Sequence, residues 1–513
     1  MAVEMFASIY IGSYEVSLKI FEISQKKGMR EVEHIRSRID LGKDTFENGS
    51  ISYGSVEKLC DTLSEFSGII KTYRVEHYEV YAGAVLREAE NEIFVLDQIG
   101  LRTGFDVKVI SNSEHRFLSY RSLAGREKFE KMIQGSAAML DVGGAGIQIT
   151  LFQAGKLITT RHIEVGSMRL RSLLEEGISY SREHYLEQLE EFISKRLEEF
   201  KIFFLGGNVD SLILMSDYCQ ELVKYINKDE GKQHLVKTER FMKFIDKLLK
   251  KPVEVISKDL NLSNEKDPLI IPSLLIFKEL AEIMESKEVW VPETNVNDGI
   301  ASAYVQDKRL LKISHDFDAD IISAAKNLSR HFNSYSKHVE ALVIISDKIF
   351  DAMKKVHGLT RRHRLLLEVA CLLHDCGKYI SLSNAPTCAY NIIMSSEILG
   401  LSHLEREMIA LTVLYNTLPL ENYEELSDQL DKESYLVVAK LSAILRVANA
   451  LDQSHKQKFK NIRVSTKERE LVITVEAFEN IALEQTLFEN KTSYFENVFS
   501  MKPVLREKRI YEL

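Results

Sequence analysis

A strand that enters a glycine turn and leaves it as a second strand occurs twice in this sequence. The later copy is residues 138–150, in which Asp141 precedes the turn Gly143-Gly144-Ala145-Gly146. The earlier copy is residues 5–20, which turn at Gly12-Ser13. Glycines let a backbone approach a ligand closely and point its amide N–H groups at a phosphate. A plain β-hairpin has the same local pattern, but two copies favour a pair of related lobes.

The order of strand and helix patterns divides the chain into four parts. Strands and helices alternate up to about residue 305, which is typical of an α/β protein. From about residue 306 the apolar residues recur at helical spacing, and after about residue 460 strand patterns return. We therefore predict a first lobe at 1–128, a second lobe at 129–305, a helical domain at 306–460 and a small α+β domain at 461–513.

Composition excludes several classes of protein. The net charge of −9 gives no general attraction to nucleic acid or to acidic lipid, so we predict neither as a partner. No uncharged run reaches the length of a membrane span, and the N-terminal residues do not resemble a signal peptide. The five cysteines are scattered, which favours reduced thiols. We therefore predict a cytoplasmic protein without a membrane segment.

A third glycine turn, Gly206-Gly207, follows the apolar stretch 203–205, which we predict to be a strand. Two α/β lobes whose glycine turns face a cleft are the arrangement of the actin-like (RNase H-like), sugar-kinase and acetate-kinase folds. We therefore predict two actin-like lobes around a cleft, followed by an all-helical domain and a small α+β segment. Three unrelated hairpins are the simpler alternative.

The motifs of the lobes resemble one known family in their order. They are Ile9-Tyr10-Ile11-Gly12-Ser13, Leu86-Arg87-Glu88-Ala89-Glu90-Asn91, Val109-Ile110-Ser111-Asn112-Ser113-Glu114, Asp141-Val142-Gly143-Gly144, Glu164-Val165-Gly166-Ser167-Met168-Arg169-Leu170 and Leu205-Gly206-Gly207. This order resembles that of the exopolyphosphatase/guanosine pentaphosphatase (Ppx/GppA) family. The helical part resembles the histidine–aspartate (HD) type C-terminal domain of that family in Ser336-Lys337-His338, the segment 372–380 around His374-Asp375, and the segment 444–455 that contains Asp452.

The resemblance implies hydrolysis of a terminal phosphoanhydride in polyphosphate or a guanosine polyphosphate, by a protein that forms a homodimer. It implies that Arg87 and the glycine turns hold phosphate, that Asp141 holds Mg²⁺, and that Glu114 or His115 activates water. Such a site fits phosphoryl transfer, which depends mostly on positioning and on neutralising oxygen charge. The phosphate-binding residues implied are Gly12, Ser13, Gly143, Gly144, Gly146, Gly206 and Gly207.

Several positions depart from the family pattern. Tyr10 stands where the family has Asp, and Gly83-Ala84 stand where it has two small hydroxyl residues. His115 replaces the glutamate expected as the base, and Gly146-Ile147-Gln148 replaces Ser-Thr-Glu. An amide cannot act as a base and binds Mg²⁺ less well than a carboxylate. Two hypotheses therefore stay open, an active phosphatase and a catalytically silent paralogue that binds the same anions as a sensor.

The helical domain keeps part of a metal-binding pattern. His338, His374, Asp375 and Asp452 have the order of the ligands of a histidine–aspartate site, which the resemblance implies for one divalent metal ion. The histidine-rich run expected after 381–384 is absent, so a site for two metal ions is incomplete. The alternative is that His374 and Asp375 are a buried structural pair.

Overall fold

The computed structural model describes residues 3–175, 182–216, 218–227, 234–262, 269–311 and 315–509. The chain divides into two units, Met1–Asp316 and Phe317–Leu513. The finer division into four domains stays a prediction. Among the described residues, no helix is both long enough and apolar enough to cross a membrane.

The first lobe is a sheet covered by helices. Its elements are β1 (Glu4–Ile11), β2 (Glu15–Ser24), β3 (Gly28–Arg38), α1 (Leu41–Asn48), α2 (Tyr53–Thr72), β4 (His77–Ala82), α3 (Ala84–Arg87), α4 (Glu92–Thr103), β5 (Val107–Val109) and α5 (Asn112–Arg121). The strand order is β3-β2-β1-β4-β5. Strands β1 to β3 are antiparallel, whereas β4 and β5 continue the sheet in parallel with β1.

Alternation along β1 explains why both faces of this sheet are covered. Successive side chains of a strand point to opposite faces. Ala7, Ile9 and Ile11 belong to the core that includes α2 and α4, whereas Phe6 belongs to a second core on the other face. All four side chains are fully buried.

The second lobe repeats the plan of the first. Its elements are α6 (Glu127–Ile133), β6 (Ser136–Val142), β7 (Ile147–Gln153), β8 (Lys156–Ile163), α7 (Ser167–Glu175), α8 (Arg182–Phe204), β9 (Ser211–Met215), α9 (Cys219–Ile226), β10 (Leu235–Lys237), α10 (Thr238–Leu249), α11 (Val253–Asp259), α12 (Ile270–Met284), β11 (Glu288–Trp290) and α13 (Val296–Asp307). The strand order is β10-β11-β9-β6-β7-β8. As in the first lobe, three antiparallel strands are followed by two strands parallel to the first of them, β9 and β11, and the edge strand β10 is antiparallel to β11. The prediction of two related α/β lobes is confirmed.

The stretch before Gly206-Gly207 is not a strand, so that prediction is wrong. Residues 203–204 are the last turn of helix α8. The helical period explains the difference, because Leu197 and Phe200 are buried in the lobe's core whereas Ile202 and Phe203 are exposed. A run of three apolar residues is too short to distinguish the spacing of a helix from that of a strand. Here it continues the helical spacing of the preceding residues and belongs to α8.

Helix α13 packs on the sheet of the first lobe, although the predicted boundary assigns it to the second. Lys19 of β2 donates to Asp298 Oδ2 at 2.9 Å, and the Nδ2 group of Asn297 donates to Ser17 Oγ at 2.8 Å. The rings of Phe6 and Tyr304 stack with centroids 4.2 Å apart. The chain therefore returns to the first lobe before the first unit ends.

The second unit is helical, with a small sheet at its end. Its elements are α14 (Phe317–His331), α15 (Ser336–Ala352), α16 (Arg361–Leu373), a 3₁₀ helix (Cys376–Tyr379), α17 (Ala385–Ser395), α18 (His403–Leu414), α19 (Tyr423–Leu426), α20 (Lys432–Ala450), β12 (Phe459–Lys467), β13 (Glu470–Ala477), α21 (Ala482–Glu489), α22 (Thr492–Phe499) and β14 (Lys502–Arg509). Strands β12 and β13 form an antiparallel hairpin, and β14 pairs with β13 in parallel. The predicted helical domain and α+β segment are confirmed as fold class.

Candidate functional site

A cavity of about 710 Å³ lies between the two lobes of the first unit. It is lined from the first lobe by the turn after β1 and by helix α5, and from the second lobe by the turn after β6. Seven residues predicted for the site line this cavity: Gly12, Ser13, His115, Asp141, Gly143, Gly144 and Gly146. The cavity therefore brings together most of the predicted phosphate-binding turns.

Four predicted site residues do not line the cavity: Arg87, Glu114, Gly206 and Gly207. Arg87 donates to the carbonyl oxygen of Ile110 at 2.6 Å and to Asn112 Oδ1 at 2.8 Å. Its guanidinium group therefore stabilises the segment that leads into α5. Gly207 lies in the loop after α8 with φ 156, and a Cβ atom added to either loop glycine would meet nothing. Their assignment to phosphate stays a prediction.

Glu114 caps the N-terminus of α5. Its Oε2 atom accepts a hydrogen bond from the backbone N–H of Ser111 at 2.8 Å, and its own N–H donates to Ser111 Oγ at 3.2 Å. This reciprocal pair is a capping box, which satisfies two amide groups at a helix N-terminus. The carboxylate that the sequence offers as a base therefore has a competing role at the helix end.

His115 and Asp141 lie close together in the lining of the cavity. Nδ1 of His115 lies 4.0 Å from Oδ2 of Asp141, and this oxygen is buried without a hydrogen-bond partner. Burial lowers the pKa of His115, and the nearby Arg116 and Arg87 lower it further, although Asp141 opposes them. The imidazole is therefore neutral near pH 7 and able to accept a proton.

Other buried polar atoms along the cavity have no hydrogen-bond partner within the described chain. They are Oε1 and Nε2 of Gln148, Oγ of Ser119, Oδ1 of Asn297, Nε2 of His34 and Oε2 of Glu221. Buried polar groups in proteins are almost always paired with protein, water or ligand. The lining of the cavity therefore suits water or a polar ligand that can form hydrogen bonds with these atoms.

Two aromatic side chains occupy space beside glycines where the family has hydroxyl residues. A Cβ atom added to Gly83 would overlap the Tyr10 hydroxyl group, and one added to Gly146 would overlap the ring of His162. His162 lines the cavity on β8, opposite Gln148 of β7. Tyr10 and Gly83 thus form a packing pair. No signal in the sequence singles out His162, because its place depends on the register of the β7–β8 hairpin.

This pairing predicts a non-additive effect on stability. Gly83→Ser is expected to destabilise the first unit by about 1–2 kcal/mol, because its Cβ meets the Tyr10 hydroxyl. In the background Tyr10→Phe the same change is expected to cost less, with a coupling of about 0.5–1.5 kcal/mol. Urea unfolding followed by the fluorescence of Trp290, the one tryptophan of the chain, measures all four proteins. Additive effects would contradict the pairing.

The glycine turn after β6 is packed closely against the start of α7. The carbonyl of Gly144 accepts hydrogen bonds from the N–H groups of Met168 at 3.0 Å and Arg169 at 3.2 Å. A Cβ atom at Gly166 would overlap the backbone of Gly144. Close backbone approach therefore explains the glycine at 166 independently of any ligand, whereas a Cβ atom at Gly144 would meet only the side chain of Met168.

Asp141 offers a carboxylate oxygen to the cavity that could serve as a metal ligand. Its buried, unpartnered Oδ2 atom is an available oxygen ligand. Among the described residues, the one group of three or more metal-binding side chains lies in the second unit, not in this cavity. Mg²⁺ is commonly held by one or two carboxylates together with phosphate oxygens and water. Asp141 thus suits an ion that arrives with a phosphorylated ligand.

The second unit gathers His338, His374 and Asp375 at the end of α16. Nε2 of His338 lies 3.2 Å from Nε2 of His374, which lies 3.2 Å from Oδ1 of Asp375. Burial lowers the pKa of His374 to about 4. Burial raises the pKa of Asp375, but His374 and Lys378 outweigh it, so the carboxyl titrates below its usual range.

Asp452 contacts Nδ1 of His338, whereas His374 lies next to the other ring nitrogen, Nε2. Its Oδ2 atom accepts a hydrogen bond from Nδ1 of His338 at 2.8 Å, and both of its oxygens accept from Gln457. His455 lies in front, with its ring stacked on that of His338 at a centroid distance of 3.8 Å. The segment 444–455 that carries the family resemblance ends in His455, but the sequence does not predict this histidine as a site residue.

Comparison with known proteins agrees with this fold. Residues 19–307 match the Ppx/GppA phosphatase family, and residues 322–492 match domain III of Ppx/GppA phosphatases. The structure is similar to that of the Ppx/GppA family member of Aquifex aeolicus, with a TM-score of 0.50 and 19% sequence identity. The match covers 61% of this chain and 100% of that one. An exopolyphosphatase from Cytophaga hutchinsonii gives a TM-score of 0.53 and 15% identity over 61% of this chain and 100% of that one.

Similarity to curated proteins covers a shorter stretch. A guanosine-5'-triphosphate,3'-diphosphate pyrophosphatase from Aliivibrio fischeri is 24% identical over 148 residues, which make up 29% of this chain and 29% of that protein. The chain therefore aligns with less than a third of the length of the curated relatives it matches. The family match begins within β2 and covers the rest of both lobes, the domain III match covers most of the second unit, and the lobes have the expected topology. The chain belongs to the Ppx/GppA phosphatase family.

Proposed function

We propose that the cavity of the first unit binds polyphosphate or a guanosine polyphosphate and releases its terminal phosphate by hydrolysis. The observation that carries this proposal is the pair His115 and Asp141, 4.0 Å apart, beside the turns at Gly12-Ser13 and Gly143-Gly144. A neutral histidine next to a carboxylate can act as a general base, and glycine turns suit phosphate oxygens. Family membership supports the reaction class.

The reaction needs one proton acceptor and a site for negative charge. Water attacks the terminal phosphorus while the bond from phosphorus to the bridging oxygen breaks, and the proton of the water passes to the imidazole of His115. Asp141 stabilises the imidazolium that forms, since it lies opposite Nδ1. Asp141 would also hold a Mg²⁺ ion that binds together with the substrate, and the ion would supply neutralisation of the phosphate oxygens.

Binding without hydrolysis is the second candidate. It is favoured by two observations, the engagement of Glu114 in the capping box and the aromatic ring of Tyr10 where the family has a carboxylate. In this case the protein is a sensor that keeps the anion site and has lost most of the chemistry. The homodimer and the cytoplasmic location predicted from the sequence stay predictions.

One assay separates these functions. Purified full-length protein is incubated with Mg²⁺ and either polyphosphate or guanosine pentaphosphate, and free phosphate is measured over time. Steady release with either substrate supports the hydrolase. Calorimetric binding of the same ligands without release supports the sensor, and absence of both binding and release contradicts both proposals.

A further inference from the structure

The two lobes of the first unit are joined by two segments of chain. Residues 122–126 lead from α5 to α6, and residues 291–295 lead from β11 to α13. These segments lie side by side, since Oγ of Ser122 and Oγ1 of Thr294 are 3.2 Å apart, within hydrogen-bond distance. Two adjacent connections of this kind form a hinge, about which one lobe rotates against the other.

Arg171 of α7 makes a further connection between the lobes, and this one is not covalent. Its Nη1 atom lies 3.4 Å from Oδ2 of Asp40, and its Nη2 atom lies 3.3 Å from Oε1 of Glu47. Both carboxylates belong to the first lobe, where Asp40 is the N-cap of α1 and Glu47 lies near the end of that helix. The guanidinium group is buried and the carboxylates are partly buried, so solvent screens these ion pairs only in part.

Apolar side chains support the same contact. Tyr14, in the turn after β1, and Phe46 of α1 pack against the core of the second lobe. Met168 of α7 is buried between the lobes, because a Cβ atom added to Gly42 in the first lobe or to Gly144 in the second would lie within 3 Å of its sulfur atom. We call this interlobe contact the clasp, and its side chains are those of Tyr14, Asp40, Phe46, Glu47, Met168 and Arg171.

The clasp is bonded to both glycine turns that line the cavity. The carbonyl oxygen of Ser13 accepts a hydrogen bond from the N–H group of Gly42 at 2.7 Å, at the start of α1. The carbonyl oxygen of Gly144 accepts one from the N–H group of Met168 at 3.0 Å, at the start of α7. Ser13, Gly144 and Met168 all line the cavity. A motion that separates α1 from α7 therefore separates the two turns.

We propose that the clasp holds the lobes closed around the cavity, and that its opening about the hinge admits and releases the phosphorylated ligand. Arg171 does not line the cavity, so it is a positioning residue that acts through the distance between the turns. The clasp opens readily because its carboxylates are partly exposed and regain water when the ion pairs break. This proposal rests on the proposed function, since it takes the two turns as the phosphate-binding site.

Distances between spin labels on the two lobes test the closure without any ligand. In full-length protein with Cys388→Ser, labels are attached at Lys58→Cys in α2 and Lys195→Cys in α8, both of which are exposed. We expect one narrow distance distribution in the protein with Arg171 and an additional longer distance in Arg171→Met, which keeps the length of the side chain but removes its charge. A distribution that Arg171→Met leaves unchanged overturns the proposal.

Affinity for a phosphate chain tests the consequence for the ligand. The probe is an imido analogue of tripolyphosphate, which is not cleaved, and binding in the presence of Mg²⁺ is measured by calorimetry. If the closed form falls to about 1–10% of the population in Arg171→Met, Kd rises about 10–100-fold. Arg171→Lys is expected to lie between, because an ammonium group lacks the fork that reaches two carboxylates.

The two arms distinguish failure of this proposal from failure of the proposed function. An unchanged Kd in Arg171→Met overturns the role of the clasp. Absence of binding by the parent protein contradicts the proposed function, whereas the label distances still decide for or against closure by the clasp. Recovery of the short label distance in Arg171→Met on addition of the probe supports both.

Lys278→Met is the matched control. Nζ of Lys278 lies 3.3 Å from Oε1 of Glu190 and 3.2 Å from Oδ1 of Asp246, so this side chain also bridges two carboxylates. All three residues belong to helices of the second lobe, α12, α8 and α10. We therefore expect the label distance and the Kd of the parent protein. If Lys278→Met lengthens the distance or weakens binding as much as Arg171→Met, general loss of stability explains both and the clasp is contradicted.

Discussion

Replacing His115 with glutamine is expected to lower the rate of phosphate release by about 10²–10⁴-fold while binding of the substrate changes little. The range is that of a positioned general base, which acts on the transition state and not on the bound ground state. Glutamine keeps much of the size and polarity of histidine but cannot accept the proton. Measuring kcat and KM separately with both candidate substrates tests this expectation.

Glu114→Gln is the matched control for the His115 variant. Glutamine is an accepted partner in a capping box, so α5 keeps its N-terminal hydrogen bonds and stability changes little. If His115 is the base, this neighbour variant retains activity within a few-fold of the parent. The opposite result, with activity lost in Glu114→Gln and kept in His115→Gln, would show that the carboxylate leaves its helix cap to act as the base.

The pH dependence gives an independent check on the role of His115. The base must be neutral, and burial places the pKa of His115 below its ordinary value of 6.5. Activity is therefore expected to persist at pH 6.5 and to fall only in more acid solution, where the ring becomes protonated. In His115→Gln, the residual activity is expected to lack this acid limb. A parent profile whose midpoint lies above 6.5 would contradict the proposed base.

Gly299→Ala is expected to destabilise the first unit by about 2–4 kcal/mol. Gly299 lies in α13, where an added Cβ atom would overlap the backbone carbonyl of Leu118 in α5. Backbone cannot move aside as a flexible side chain can, so one of the two helices must shift. Because Asn297 and Asp298 hold this helix against β2, the shift also disturbs hydrogen bonds beneath the cavity. Urea unfolding followed by Trp290 fluorescence measures the loss.

Gly68→Ala is the control for this substitution. Gly68 also lies in a helix, α2, but a Cβ atom added there meets nothing within 4 Å. Alanine favours the helix over glycine by about 0.5–1 kcal/mol, so this variant is expected to be slightly more stable than the parent. If Gly299→Ala behaves in the same way, the close contact between α13 and α5 is not required for stability.

The sequence predicted the parts of the site that depend on local pattern. The turns at Gly12-Ser13 and after Asp141 have a recognisable strand–glycine–strand pattern, and the structure places both at the cavity. Gly206-Gly207 shows the limit of such reasoning. These two glycines lie in the loop that follows helix α8, and they do not line the cavity. Lys19, His34 and Asn297 line the cavity but carry no local signal, because they come from strands and a helix distant in sequence.

The roles of neighbouring charged residues depend on which way each side chain points. Glu114 and His115 are adjacent, so sequence alone leaves either as the base. Because adjacent residues of a helix point in different directions, the side chain of Glu114 turns back to the N-terminus of α5 and that of His115 points toward Asp141. In the second unit, His338 and Asp452 are far apart in sequence, and only packing shows that one donates to the other.

Family, fold class and the order of lobes and helices were determined by the sequence itself, because strand and helix periods and ordered motifs are local properties that survive divergence. Tertiary structure alone decided which of these residues share a site. It placed Tyr10 against Gly83 and His162 against Gly146, and it brought Nε2 of His338 within 3.2 Å of Nε2 of His374. Such contacts follow from how elements pack, and a linear pattern does not specify the packing of elements distant in the chain.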